Sequence, residues 1–390
     1  MVSILAHSMV SSLGWDPALA CAAARAGLVR ARLLDGTRVS AGPDGRPEPV
    51  VAHGVPLLTQ GFEGEARLQR LVDQALENLL DSCPVLREQP DGVGFYLAVP
   101  DPSRDTQGVD LITANTVREE LSEAAQVWAQ YPFNGDLTQR LLTRASAAVG
   151  WPGSIGFQRT SAAGHAAPLA LMAAARQDLL AGKVRTAVVG AVDSLLSPST
   201  LAWLHQCHRL KTKAMPIGLM PGEGCVFVVL SLPSTWPAVP PQGHLLDVAL
   251  GQEPMSLLSG ATSVGEALAS VMTRLATAAH WQEETASWVL SDHNGEVYRA
   301  NEWGHALVRL QGAWPAAATP TVWYPAMSFG DTGTASGLIA VCQALHAYAR
   351  AYAPAPHAMV LASSEGTERA GLVLSAPIGS GHFAARGAGA

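Results

Sequence analysis

The stretch from Thr160 to Asp193, TSAAGHAAPLALMAAARQDLLAGKVRTAVVGAVD, constrains the fold more than any other part of the chain. Small residues from Ser161 to Gly164 make a turn. From His165 onward Ala, Leu and Met recur at mixed i, i+3 and i+4 spacing almost all the way round, which predicts a long buried helix stopped at Gly182. The apolar run Thr186 to Val192 predicts a buried strand behind it. A buried helix with sparse polar caps points its free N–H groups and partial positive charge at protein or a pocket rather than at bulk water. Residue 165 therefore stands where an enzyme can place a nucleophile, and it is a histidine.

Strands and helices alternate on both sides of this stretch. Val2 to Ala6 reads as a strand, Pro17 to Ala26 as a helix with Pro in its first turn, and residues 35 to 60 as Gly- and Pro-rich loop. Glu63 to Cys83 reads as an amphipathic helix and Val93 to Val99 as a strand. Helical stretches near 114–130 and 137–149 read as an insertion near residues 105–150, before a strand from Ser154 to Thr160. A helix near Ser199 to Leu210 and the strand in GEGCVFVVLSL follow. Residues 233–243 hold four prolines and mark a linker. The alternation then restarts, with strands at Leu245–Leu250, Trp288–Ser291, Thr321–Tyr324, Met359–Ala362 and Gly371–Leu374. Helices at Ser263–Trp281, Ala300–Leu310 and Thr334–Tyr352 lie between them. The expectation is an α/β protein of two similar halves, 1–232 and 244–378, with a frayed Gly-rich tail at 379–390.

Composition removes several function classes. Hydrophobic residues make up 48% and charged residues 15%, enough for a large core, and a net charge of -7 with scattered Lys and Arg argues against nucleic acid. Five cysteines without a CxxC pair suit a reducing compartment, and no run of about 18 apolar residues is present to span a bilayer. The N-terminus has no basic leader, so a cytoplasmic location is expected. The cluster His205, Cys207, His208 has tight spacing and no distant second pair, which fits a solvated helix end better than a zinc site.

LLAGKVRTAVVGAVDSLLSP, PGEGCVFVVL and SFGDTGTASGLIAV, with MVSILAHSMVSSLG at the start and SSEGTERAGLVLS at the end, together resemble the beta-ketoacyl-acyl-carrier-protein synthase (condensing enzyme) family. The resemblance implies a thiolase-like fold with a layered α-β-α-β-α core. It also implies a homodimer built through the strand Ser154 to Thr160, acyl carrier protein as a candidate partner, and no cofactor. The family uses a cysteine nucleophile at a helix N-terminus, two histidines and a lysine. Carried onto this sequence, the cysteine position falls on His165, the first histidine on His293, the second on Asp331, and the lysine on Ala326. Ser364, Gly366 and Asn294 are the candidate substrate-binding positions.

Three of the four chemical groups are changed. Acyl-imidazoles hydrolyse readily, so His165 is a poor substitute for a thiolate acyl carrier, and Asp331 would repel a malonyl carboxylate. The expectation is a non-condensing pseudoenzyme acting as a binding, scaffold or accessory subunit in an acyl-chain or secretion-associated pathway. The alternative is an acyltransferase or thioester hydrolase using His165, His293 and Asp331 converging on one pocket, metal-assisted if the helix N-terminus keeps His165 neutral. No metal ligand set is assigned. Glu223 is expected to hydrogen-bond nearby backbone, and Gly330, Gly333 and Gly337 to permit close packing of a turn and helix. Trp128, Trp203, Trp288, Trp303 and Trp323 are expected in core or interface.

Overall fold

Alternating side chains in each strand face two apolar environments, and that alternation builds the layers. The computed structural model describes residues 1–41, 46–101, 104, 137–153, 155–279, 281, 287–311 and 320–377. In the first half these form β1 (Val2–Val10), α1 (Pro17–Arg25), β2 (Arg32–Ala41), β3 (Arg46–Ala52), α2 (Gly64–Ser82), β4 (Val93–Ala98), α3 (Leu137–Ala148), β5 (Phe157–Ser161), α4 (Ala167–Leu180), β6 (Thr186–Ser194), α5 (Pro198–Gln206) and β7 (Glu223–Ser231). The second half holds β8 (Gly243–Gln252), α6 (Glu266–Ala278), β9 (Trp288–Leu290), α7 (Val297–Gln311), β10 (Thr321–Trp323), α8 (Ser336–Ala349), β11 (His357–Ser363) and β12 (Glu368–Ser375).

The two halves repeat one topology. The strand order is β1-β7-β6-β4-β5 in the first and β8-β12-β11-β9-β10 in the second. Both run antiparallel, antiparallel, parallel, parallel from their first strand outward. Antiparallel pairing of β1 with β8, Val2 opposite Leu245, joins them into one ten-stranded sheet.

Along β6, Ala187, Val189 and Ala191 pack into a central core shared with α4 and α8, while Val188 and Val192 face α2 and α3. Along β11, Ala358, Val360 and Ala362 face the same central core, and Met359 and Leu361 face α6 and α7. The result is the expected thiolase-like stack of helices, sheet, paired helices, sheet, helices. In α2, Leu68, Leu71, Val72, Ala75, Leu76 and Leu79 are buried at the spacing read from the sequence, each large side chain contributing roughly 1.5–3 kcal/mol.

Several expectations change. Residues 35 to 60 are not simply loop: β2 and β3 pair as an antiparallel hairpin, and Pro47 and Pro49 are tolerated because the pair stands outside the main sheet. α3 packs on α2 and lies between β4 and β5 in the chain as α7 lies between β9 and β10, so it has a counterpart in the repeat. The helical stretch expected near 114–130, Trp128, Ser154 and the tail 379–390 lie outside the described residues. The Pro-rich connection is pinned to the first half, with Trp236 Nε1 donating to Thr186 Oγ1 at 3.0 Å and Gln242 N donating to Ile4 O at 2.8 Å. Among the described residues no helix is long and apolar enough to cross a membrane.

Candidate functional site

Each half places a single 3-10 turn before its central helix: Gly164–Ala166 before α4 and Gly333–Ala335 before α8. The α-helix thus begins at Ala167, two residues later than expected, and His165 sits in the turn ahead of it. Both turn glycines are left-handed, with φ of 66° at Gly164 and 56° at Gly333. Each packs against the end of the fourth main-sheet strand of the other half. A Cβ on Gly164 would lie 3.1 Å from Ser364 Oγ beyond β11, and one on Gly333 would lie 2.1 Å from Asp193 Oδ2 on β6. The donors cross likewise: Ala166 N donates to Ser364 Oγ at 3.0 Å and Thr334 N to Asp193 Oδ2 at 2.9 Å. Gly333 N donates to Asp331 Oδ1 at 2.8 Å. These N–H groups, which could receive an anion at the helix starts, are held by the chain's own carboxylates and hydroxyl.

His165 is 3% exposed and sits between charges. Its Nε2 donates to Asp331 Oδ1 at 2.8 Å. Its Nδ1 lies 3.7 Å from Glu365 Oε2 and 3.3 Å from Arg299 Nη2. Burial works against the imidazolium, and the Arg299 guanidinium does too, but Asp331 and Glu365 prevail and push the His165 pKa up to about 10. The Asp331 and Glu365 carboxylates act against the expectation that the helix N-terminus keeps this ring neutral, two full charges against one turn's partial charge. Against burial, His165 holds the Asp331 and Glu365 carboxyls below their ordinary range.

The ion network continues outward. Arg299 donates to Asp292 Oδ2 at 2.5 Å and to Ser363 O at 2.6 Å. Asn294 Nδ2 donates to Asp331 Oδ2 at 2.6 Å and to Glu296 Oε2 at 2.8 Å. Arg209 from the first half donates to Glu296 at 2.6 and 3.0 Å and to Glu365 Oε1 at 3.0 Å, its guanidinium 4.9 Å from the Trp203 ring centroid. Arg104 donates to Asp193 Oδ1 at 2.7 Å.

Of the sequence candidates, His165 and Asp331 meet directly, with Ser364 and Asn294 beside them. His293 turns elsewhere: its Nδ1 bonds Ser291 Oγ, and its ring packs edge-on at 5.7 Å from Trp303 and 5.5 Å from Tyr324. Burial lowers its pKa. Of the expected set of His165, His293 and Asp331, the first and last bond each other, while Asn294 rather than His293 donates to Asp331. Gly366 contributes its carbonyl, which accepts from Arg369 Nη1 at 2.8 Å. Asp193 and Glu365 lie within stretches that carry the family resemblance but are given no role there, and Arg299, Arg209 and Glu296 are not singled out from the sequence.

Little space remains. The cleft touching His165, Gly164, Arg104, Trp203, Thr334 and Glu365 is about 30 Å³, room for a water or two. Among the described residues no cluster of three or more His, Cys, Asp or Glu side chains is placed to hold a metal ion. Glu223 accepts from Val55 N at 2.7 Å, Thr59 Oγ1 at 2.8 Å and Arg67 Nε at 2.6 Å, tying β7 to α2. Cys207 and His208 are exposed at the end of α5.

Residues 68–234 match the family model for the beta-ketoacyl synthase N-terminal domain. No curated protein sequence matches the chain. Among solved structures, the ishigamide ketosynthase/chain length factor superposes with TM-score 0.68 at 19% identity, covering 96% of this chain and 99% of that one. A type II PKS acyl-carrier protein in complex with its ketosynthase bound to the hexaketide gives TM-score 0.73 at 13% identity, covering 96% and 98%. The ketosynthase from module 6 of the bacillaene synthase from Bacillus subtilis 168 gives 0.66 at 15% identity, covering 96% and 72%. At such identities the shared property is the fold, which extends over nearly the whole chain.

Proposed function

We propose that this chain, which carries a beta-ketoacyl synthase N-terminal domain over residues 68–234 and the ketosynthase fold over 96% of its length, is a non-condensing subunit that supplies a binding or scaffold surface in acyl-chain assembly. One observation carries the reading: the residue at the nucleophile position, His165, is a buried imidazole tied to Asp331 at 2.8 Å in a cleft of about 30 Å³, and its carboxylate neighbours favour the protonated ring. A protonated ring has no lone pair with which to attack a thioester or take a proton. Among the described residues the space beside it is too small for an acyl chain. Asp331 supports the same conclusion, since a buried carboxylate next to the ring would repel a malonyl group.

Pairing is expected through β5. This strand ends the ten-stranded sheet, and Gln158, Arg159 and Thr160 are exposed on it, so a second chain can continue the sheet there. Homodimers are one outcome. The ketosynthase/chain length factor among the similar structures is named as a pair, which favours an active ketosynthase chain as the partner here.

Intact-mass spectrometry after incubation with acyl and malonyl thioesters tests the central claim. No adduct and no thioester loss are expected. An acyl adduct, or thioester consumption abolished by His165→Ala, would establish the acyltransferase or hydrolase alternative instead. Sedimentation at micromolar concentration, alone and with a ketosynthase chain, tests the pairing; a species that stays monomeric in both mixtures rules it out.

A further inference from the structure

A cavity far larger than the His165 cleft lies between the β2–β3 hairpin and the turn that starts at Pro56, with a volume of about 440 Å³. That is within the range of small-molecule sites, roughly 300–1,000 Å³. A second cavity of about 70 Å³ adjoins it, and Arg32, Gly54 and Pro56 line both. The two therefore form one groove with Arg32 at the junction.

Its chemistry is asymmetric. The walls of the larger part include Leu33, Leu34, Ala52 and Leu196, an aliphatic lining. Around the junction stand two cations, Arg32 in both cavities and Arg30 in the smaller. Both are exposed, and neither makes an ion pair among the described residues. Away from the junction the groove meets Arg67 and Glu63, but Arg67 is committed to Glu223 and lies 3.9 Å from Glu63. That leaves Arg32 and Arg30 as the groove's cations without an ion pair among the described residues.

We propose that this groove binds an anionic amphiphile, a single carboxylate or phosphate on an aliphatic chain. The head lies at Arg32 and Arg30, and the chain lies on Leu33, Leu34 and Leu196. Guanidinium groups supply fork-shaped donors suited to either headgroup, and the aliphatic wall takes the tail out of water. Gly54 keeps the floor open, since a Cβ there would lie 3.2 Å from Leu196 Cδ1. The inference goes beyond the proposed function and does not depend on whether the His165 site is inert.

Equilibrium dialysis with octanoate and with octyl phosphate tests it, against octanol, octyltrimethylammonium and acetate as controls. Saturable binding of one anionic amphiphile per chain is expected, with each control at least about tenfold weaker; the stronger of the two headgroups identifies the acid. Arg32→Glu should weaken binding by about tenfold, and Gln60→Trp, which fills the groove from an exposed lining position, should abolish it. Arg350→Glu, an exposed charge reversal outside the groove lining, should leave affinity unchanged. Near-UV circular dichroism checks that each variant is folded. The proposal is overturned if no anionic amphiphile saturates the protein, if octanol binds as well, or if either Arg32→Glu or Gln60→Trp leaves affinity intact.

Discussion

His165 is set among carboxylates that favour its charged form in the folded state, which it would largely lack in the unfolded chain at neutral pH, and the sign of the consequence follows from these neighbours. Folding raises its pKa from 6.5 to about 10. The folded protein therefore binds more protons than the unfolded one between those values. The stability this group contributes is complete below about pH 6.5 and is lost as pH rises toward 10. Asp331 and Glu365 act oppositely: their depressed values contribute stability above the ordinary carboxylate range, lost as pH falls through it. Urea midpoints taken from about pH 6.5 to 9.5 should decline in the wild type, with His165 alone accounting for up to about 1.4 kcal/mol per pH unit. His165→Gln should flatten that decline, since its amide can still donate to Asp331 but takes up no proton. Parallel wild-type and variant curves would show that the ring is not charged.

The turns that carry this site are fixed by glycine in a way that a pair of substitutions separates. Gly182, which follows α4, has φ of 68° and open space where a Cβ would go. Gly333 has φ of 56° and the Asp193 carboxylate in that space. Gly182→Ala should cost only the left-handed backbone strain, about 1 kcal/mol. Gly333→Ala should cost several times more, because Asp193 would have to give up Thr334 N; equal losses in thermal denaturation would show that the close approach is unimportant. Elements built on period are legible in the sequence: α2 and α4 follow from apolar spacing, and β6 from its continuous run. The β2–β3 hairpin is not, because Gly36, Pro47 and Pro49 give it the composition of a loop. Arg209, Glu296 and Glu365 lie far apart in the chain and follow no period, so only the crossing of the two halves brings them together. One signal does point to the paired turns, the shared spacing Gly-x-Ala-x-x-Leu at Gly164–Leu169 and Gly333–Leu338.

At the scale of the whole molecule, the two halves repeat a topology and each has an outer core of its own, but they share the central one. The central core takes Leu169 and Met172 from α4 and Leu338 and Leu345 from α8, so parting the halves would expose both helices to water. β1 and β8 share a ladder, and parting them would leave two unpaired strand edges. Arg209 would be stripped from Glu296 and Glu365, and His165 from Asp331. Removing one partner from a buried ion pair costs about 3–5 kcal/mol, and here such contacts break together with the apolar face. The covalent connection across residues 233–243 is therefore not what holds the halves in place. A protease site inserted at Ala238, an exposed position in that connection, should yield two fragments on a denaturing gel that still elute as one species from gel filtration. Their urea midpoint should lie close to that of the uncut protein, in a single transition. Separate elution of the fragments, or two resolved transitions, would mean that each half is stable alone and that the ion pairs around His165 contribute little to joining them.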